Sequence, residues 1–206
     1  MSRSLFFAQS LQDFKSIGSF VPSSQALCQS LCTHLRYSLI KPQSSPSVLE
    51  VGSGTGVVAT YILREKYALN ILDVVESQAD LFDAACKNIQ SLEASFPVRL
   101  FNERVEAMTW PESHVYDAII SSIPLNSLAI EDVRDILLTY KRLLKQGGSF
   151  SFYEYLGSRL ANSLYALIGS DEAFSIVLGS IFVDAEINTA ICWNNFPPAR
   201  VITVKV

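Results

Sequence analysis

Basic residues are scarce in this chain. It has 16 lysines and arginines against 20 aspartates and glutamates, a net charge of −4. Nucleic-acid binders carry a basic footprint, so this balance counts against RNA or DNA as a partner. Charge of either sign is low: 17% of residues are charged and 49% are hydrophobic, greasier than a typical soluble domain. Even so, no uncharged apolar run reaches the ~18 residues of a membrane span. Near the start, Leu5-Phe6-Phe7-Ala8 follows Arg3, but Gln9, Ser10, Gln12 and Asp13 interrupt it. That is too short for the apolar core of a signal peptide. Histidine is nearly absent, and neither His34 nor His114 stands at zinc-site spacing from Cys28, Cys32, Cys86 or Cys192. The cysteines therefore read as free buried thiols of a cytosolic protein, and no metal site is expected. Internal repeats and low-complexity segments are also missing.

What is present is organised around Val48-Leu49-Glu50-Val51-Gly52-Ser53-Gly54-Thr55-Gly56. Four strand-type residues run into a glycine-rich turn, and a helical pattern follows from Val57. Glycines at such a turn reach positive φ and let backbone N–H groups approach a ligand. From there strands and helices alternate. Strands are expected at 48–51, about 70–75, 97–101, 118–121 and 149–153, and helices at about 56–66, 78–93 and 130–144, the last stopped by Gly147-Gly148. Residues 158–168 and 173–183 are apolar helical patterns split by Gly169-Ser170-Asp171-Glu172. Two strands, 185–193 and 200–206, close the chain around Asn194-Asn195-Phe196-Pro197-Pro198. The pattern predicts an α/β doubly wound, mostly parallel sheet of seven strands.

With 206 residues, one domain is expected over 1–206. Within it, 1–40 form a helical cover, 48–155 a cofactor-binding core, 156–183 an apolar helical insertion and 184–206 a strand pair. Residues 1–17 have Leu5, Phe6, Leu11, Phe14 and Ile17 near one helical face. That face either packs on its own domain or lies on a membrane. Ser23 or Ser24 is placed to cap the helix carrying Leu27, Leu31 and Leu35.

The glycine spacing discriminates among cofactors. A dinucleotide loop has G-x-G-x-x-G, and a phosphate loop has Lys-Ser/Thr after its glycines. This loop is Glu50-x-Gly52-x-Gly54-x-Gly56, with neither feature. It resembles the first motif of class I S-adenosylmethionine-dependent methyltransferases. Glu76 ends the second strand, where that family places a carboxylate for the ribose hydroxyls, and Ser77 follows it. Glu106 and Ala107 follow the third strand, where the family reads the adenine. Ser121-Ser122-Ile123-Pro124-Leu125 resembles the turn after the fourth strand, and Leu143-Leu144-Lys145-Gln146-Gly147-Gly148 the turn before the fifth. The resemblance implies a Rossmann-like methyltransferase fold with S-adenosylmethionine as cofactor. It implies a cofactor site of Glu50, Gly52, Ser53, Gly54, Thr55, Gly56, Glu76, Ser77, Glu106, Ala107 and Ser121.

Three flanking strings resemble bacterial phosphatidylethanolamine N-methyltransferases, which are related to the rRNA adenine dimethylases. Gly18-Ser19-Phe20-Val21-Pro22-Ser23-Ser24-Gln25-Ala26-Leu27 is similar to a segment that lies over the cofactor in that group, adding Pro22, Ser23 and Ser24 to the cofactor site. The second string is Ser121 to Leu128, and the third Asn195-Phe196-Pro197-Pro198-Ala199-Arg200-Val201. In amino-methyltransferases, the turn after the fourth strand aims the amine. Here that role falls to Ser122 and Pro124, and Tyr153 at the end of the fifth strand is expected to face a methylammonium product. Base-methylating enzymes need an aromatic ring to hold a flipped base, and Leu125 stands in its place.

The sequence departs from the phospholipid group in three places. Residues 1–17 are less basic, Ser122 and Asn126 replace an expected glycine and leucine, and 156–183 is longer. The expected activity is methyl transfer to an amine, foremost a phospholipid headgroup. The protein is then cytoplasmic, with peripheral contact at the inner membrane face. Methylation of an rRNA or tRNA base, methylation of a small molecule, and a non-catalytic binding module remain as alternatives.

Overall fold

The computed structural model describes residues 24–38, 45–110, 116–156 and 170–206. The expected helix over 1–17, Pro22 and Ser23, and the apolar pattern at 158–168 lie outside the described residues.

Seven strands form one sheet in the order β3-β2-β1-β4-β5-β7-β6. In chain order they are β1 (Ser47–Val51), β2 (Ile71–Val75), β3 (Val98–Phe101), β4 (Tyr116–Ser121), β5 (Leu144–Tyr155), β6 (Glu186–Cys192) and β7 (Ala199–Lys205). The first five are mutually parallel, and β7 runs antiparallel to both β5 and β6. Every residue of β1 is buried, as expected of a central parallel strand covered on both faces. In register, Val51 stands beside Val75 of β2 and Ser121 of β4. The strands that carry the glycine loop, Glu76 and Ser122 therefore end level with one another.

Helices α1 (Gln25–Leu31), α2 (Thr33–Ser38), α3 (Val57–Arg64) and α4 (Ala79–Gln90) accompany the first half. Leu27, Leu31, Leu35, Ile62, Ala85 and Ile89 share one apolar cluster on this side. The single helix expected through Leu27, Leu31 and Leu35 is two short ones, broken at Cys32. Ser151 of β5 donates its hydroxyl to the Leu31 carbonyl at 2.9 Å, which satisfies one of the acceptors freed at that break. Cys28, Cys32 and Cys192 are buried and Cys86 is half-buried, and none of the four is in a disulfide. Burial, reinforced by the Glu50 carboxyl, pushes the Cys28 thiol up to about 12.

Helices α5 (Ile130–Leu143) and α6 (Ser170–Ile181) cover the other face. Phe182, just past α6, meets Phe150 at 5.0 Å between ring centroids, and Phe174 meets Phe152 at 5.7 Å. The described part of the apolar insertion thus packs on the core. The residues expected to break the pattern, Ser170-Asp171-Glu172, instead form the first turn of α6. At its other end, Lys141 Nζ donates to the Ile181 carbonyl at 2.6 Å.

Gly147 and Gly148 are not a helix stop. Helix α5 ends at Leu143, its cap Leu144 is already extended, and β5 shifts register against β4 between Tyr116 and Ala118. Gly147 takes φ +78° in this bulge, and a Cβ on Gly148 would lie 2.8 Å from the Lys145 carbonyl oxygen. The glycines let the strand rejoin its register, and there Gly147 N–H bonds to the Val206 carbonyl at 2.7 Å. Among the described residues, no helix is long and apolar enough to cross a membrane.

Candidate active site

The glycine loop leaves β1 and is tied at once to β2, because Gly52 N–H donates to the Val75 carbonyl at 2.8 Å. Its three glycines have positive φ for three different reasons. A Cβ on Gly52 would meet Ile123 Cγ1 at 2.7 Å and Ile123 N at 3.2 Å, so the loop touches the turn after β4. A Cβ on Gly56 would meet Ala85 Cα at 3.3 Å, which lets α4 pack closely on the start of α3. Among the described residues, nothing lies within 4 Å of a Cβ on Gly54, so that glycine faces open space.

Glu76 leaves the end of β2 and is 4% exposed. Its Oε2 accepts the Gly54 N–H at 2.8 Å and its Oε1 the Gln78 N–H at 2.8 Å. Burial raises its pKa, and the N–H groups of Gln78, Gly54 and Ser77 oppose that rise. A carboxylate has about four acceptor positions, so two such bonds leave capacity for a pair of hydroxyls. Glu106 is ion-paired with Arg104, which also reaches Asp132 at 3.3 Å. Ala107 N–H bonds to the Arg104 carbonyl at 3.0 Å, which closes the turn after β3.

Among the described residues, three polar groups here are buried without a hydrogen-bond partner: the Glu50 carboxyl, the Ser53 hydroxyl and the Ser122 hydroxyl. Such orphans are uncommon in folded proteins. Glu50 is completely buried in β1, and desolvation pushes its pKa up to about 8. The backbone N–H of Ala59, in the first turn of α3, acts against that rise, and the charge of Glu76 adds to it. All three stand on β1, its loop or the end of β4, strands that end level in the sheet.

The turn after β4 is compact. Pro124 has φ −75° and ψ 74°, and Leu125 N–H bonds back to the Ile123 carbonyl at 2.9 Å, the geometry of an inverse γ-turn. Ser122 N–H is held by the Val51 carbonyl at 2.8 Å. Leu125 is 0% exposed and points into the core. The Ser121 hydroxyl is turned away from the loop and accepts from Tyr140 OH at 2.9 Å, so Ser121 reaches the site only through its backbone.

Of the flanking residues, Ser24 caps α1, its hydroxyl accepting the Leu27 N–H at 3.2 Å. Its own N–H donates to Asn195 Oδ1 at 3.2 Å. Two segments at opposite ends of the sequence are thereby joined at the ligand-binding edge. Tyr153 stacks edge-on against Tyr155 at 5.3 Å and packs on the α1 side of the sheet.

Sequence reasoning gave no role to Glu154, Asn126 and Arg200. Glu154 lies across from Arg200 in the β5–β7 register. Its Oε1 pairs with Arg200 at 2.9 Å and its Oε2 accepts from Asn126 Nδ2 at 3.0 Å. The group pins the turn carrying Ser122 to the end of β5. The available signal was parity, since Glu154 follows Phe150 and Phe152 on an apolar strand face, where a carboxylate needs partners. Glu154→Ala is expected to cost about 1–3 kcal/mol of stability, read by thermal melting. A similar loss is expected from Arg200→Ala, and a double variant should lose less than the sum.

A half-open cleft of about 460 Å³ lies elsewhere, between α1, α3 and α4, lined by Gln25, Thr60, Tyr61, Arg64 and Asn88 among others. Of the residues flagged from sequence, only Thr55 borders it.

Comparison with known proteins matches residues 48–148 to the model of a methyltransferase domain. No curated protein sequence matches the chain. Solved structures do. The N-methyltransferase NodS of Bradyrhizobium japonicum, in complex with S-adenosyl-l-homocysteine, aligns over 84% of each chain with TM-score 0.60 and 12% identity. Magnesium protoporphyrin IX methyltransferase of Synechocystis, with the same ligand, covers 98% of this chain and 97% of its own with TM-score 0.64 and 12% identity. A putative methyltransferase of Thermoplasma acidophilum aligns over 79% of this chain and 68% of its own, with TM-score 0.56 and 20% identity. At these identities the likeness is one of fold.

Proposed function

Because residues 48–148 match a methyltransferase domain on the seven-stranded fold of S-adenosylmethionine-dependent enzymes, we propose that this protein methylates the amine of a phospholipid headgroup. The site fits the cofactor. An open glycine face, an anchored carboxylate at Glu76 and unpartnered Glu50 and Ser53 supply what a ribose and a cationic amino acid need. Glu50 and Ser53 meet the methionine end, and Glu76 meets the ribose hydroxyls. Glu106 and Ala107 border the adenine. When bound, S-adenosylmethionine supplies a methyl group on a positively charged sulfur, an activated leaving group.

The observation that carries the amine reading is the buried, unpartnered hydroxyl of Ser122 at the acceptor edge. It accepts an N–H of the incoming neutral amine and turns the nitrogen lone pair toward the methyl group. With the cofactor held there, its sulfonium would supply the methyl group, the S–C electron pair staying on sulfur, and the methylated nitrogen would release its proton to solvent. Alignment and desolvation are the main demands of such a transfer. Pro124 fixes the turn that sets the direction of Ser122. Leu125, buried in the core, offers no ring for a base to stack on, which favours an acceptor without a π face.

Incubation with labelled cofactor and phosphatidylethanolamine, dispersed or in vesicles, tests the proposal. Labelled lipid is expected, and its absence with cofactor binding intact would refute it. Ser122→Ala should lower kcat by about 10- to 100-fold, the order of a lost oriented hydrogen bond. Cofactor affinity should stay within about twofold. Equal losses in both would assign Ser122 to the cofactor instead.

A further inference from the structure

The turn Trp193-Asn194-Asn195-Phe196-Pro197-Pro198 joins β6 to β7 and carries no charged residue. Tyr155, at the end of β5, pairs with Ala199 at the start of β7. This turn therefore stands at the same edge of the sheet as the glycine loop, Glu76 and Ser122. Trp193 is 70% exposed and Phe196 82%. Asn195 between them is 3% exposed, with Oδ1 accepting from Ser24 N–H and Nδ2 donating to the Pro197 carbonyl at 2.6 Å. The Pro198 carbonyl in turn accepts the Leu156 N–H at 2.7 Å. The backbone is anchored inward while two aromatic side chains are held outward.

We propose that Trp193 and Phe196 are the membrane anchor of this enzyme, seated in the headgroup region of a zwitterionic bilayer beside the acceptor entrance. The inference rests on the phospholipid reading of the acceptor. An indole with an apolar body and a polar N–H suits the boundary between water and hydrocarbon. Anionic surfaces attract clusters of lysine and arginine, and the turn has none. A stable protein interface buries roughly 800 Å² on each partner, more than a six-residue turn supplies. Two inserted rings need only the turn itself, and Ile191, 45% exposed near the end of β6, extends the apolar rim.

The chain has two tryptophans. Trp110 is buried and donates its indole N–H to the Val105 carbonyl, so Trp193 reports the surface by fluorescence. The wild-type spectrum minus that of Trp193→Phe isolates it. With vesicles of phosphatidylcholine and phosphatidylethanolamine, Trp193 emission is expected to shift to the blue and to be quenched by lipids brominated in the acyl chain. The Trp193→Ser/Phe196→Ser variant should bind vesicles at least about tenfold more weakly. It should still methylate dispersed short-chain phosphatidylethanolamine at the wild-type rate.

Vesicle binding with Trp193 emission unchanged would overturn the anchor, as would methylation of dispersed lipid without vesicle binding. In both cases the acceptor assignment would stand. Burial of Trp193 that follows protein concentration without vesicles would mean self-association and would also overturn the anchor. Vesicle binding through Trp193 with no methylation of any ethanolamine lipid would instead remove the acceptor assignment and leave the anchor in place.

Discussion

Glu50→Gln is expected to flatten the fall in stability that the wild-type protein shows between about pH 4.5 and pH 8. The carboxyl is fully buried, without a hydrogen-bond partner among the described residues, and its pKa is raised from 4.5 to about 8 in the folded protein. Between those values the folded state keeps a proton that the unfolded state has released. Stability from this group is therefore complete below about pH 4.5 and is lost as pH rises through the folded pKa. Over that window the wild type should lose roughly 2–4 kcal/mol more than the variant. Glutamine keeps the size and removes the ionisation. Urea unfolding at pH 5 and pH 8.5 checks this. Parallel curves for the two proteins would show that Glu50 does not titrate in the folded state.

The same substitution should weaken S-adenosylmethionine binding, because a buried carboxylate without a partner stabilises a cationic ligand once ionised. Wild-type protein at pH 8 should then gain more thermal stability from the cofactor than at pH 5, and Glu50→Gln should not. A residue that burdens the free protein and is relieved in the complex is a common compromise at functional sites.

The second large effect separates two glycines of one loop. Gly54→Val should leave the protein folded, at a cost of about 1–2 kcal/mol for a branched residue at positive φ. It should abolish cofactor binding. The φ there is +58° and an added Cβ would meet nothing within 4 Å, so the new side chain enters the space the ligand needs. Gly52→Val should instead damage the fold itself. Its Cβ would lie 2.7 Å from Ile123 Cγ1 and 3.2 Å from a backbone nitrogen, a cost of at least about 3 kcal/mol once strain is added. Calorimetric titration with S-adenosylmethionine, together with thermal melting, distinguishes the two. Wild-type affinity in Gly54→Val would place the cofactor elsewhere on the sheet.

The parts legible in the sequence are those built from near neighbours. Alternating strand and helix patterns predicted all seven strands, six of them to within two residues at each end, while β5 begins five residues before its expected start, and the sheet has the expected mostly parallel character. The loop and the end of β2 were found through glycine spacing and the position of Glu76. Contacts set by register were not found. The Glu154–Arg200 pair depends on how β7 returns beside β5, and no local pattern announces that. The Ser24–Asn195 bond spans 171 residues. Each segment was singled out, but nothing in either one named the other as its partner. Gly147-Gly148 was misread for a related reason. A glycine pair after a helix serves a cap or a bulge equally well, and the pairing of Leu144 with Tyr116 decides between them.

Gly52 lies so close to Ile123 that a Cβ on it would stand 2.7 Å from Ile123 Cγ1, and the bond from Ser122 N–H to the Val51 carbonyl joins the same two segments. On the proposed reading, one of these segments holds the methyl donor and the other the acceptor. A displacement of either segment is felt by both. The two ligands then bind as linked equilibria, and whatever factor the donor imposes on the acceptor's Kd, the acceptor returns to the donor.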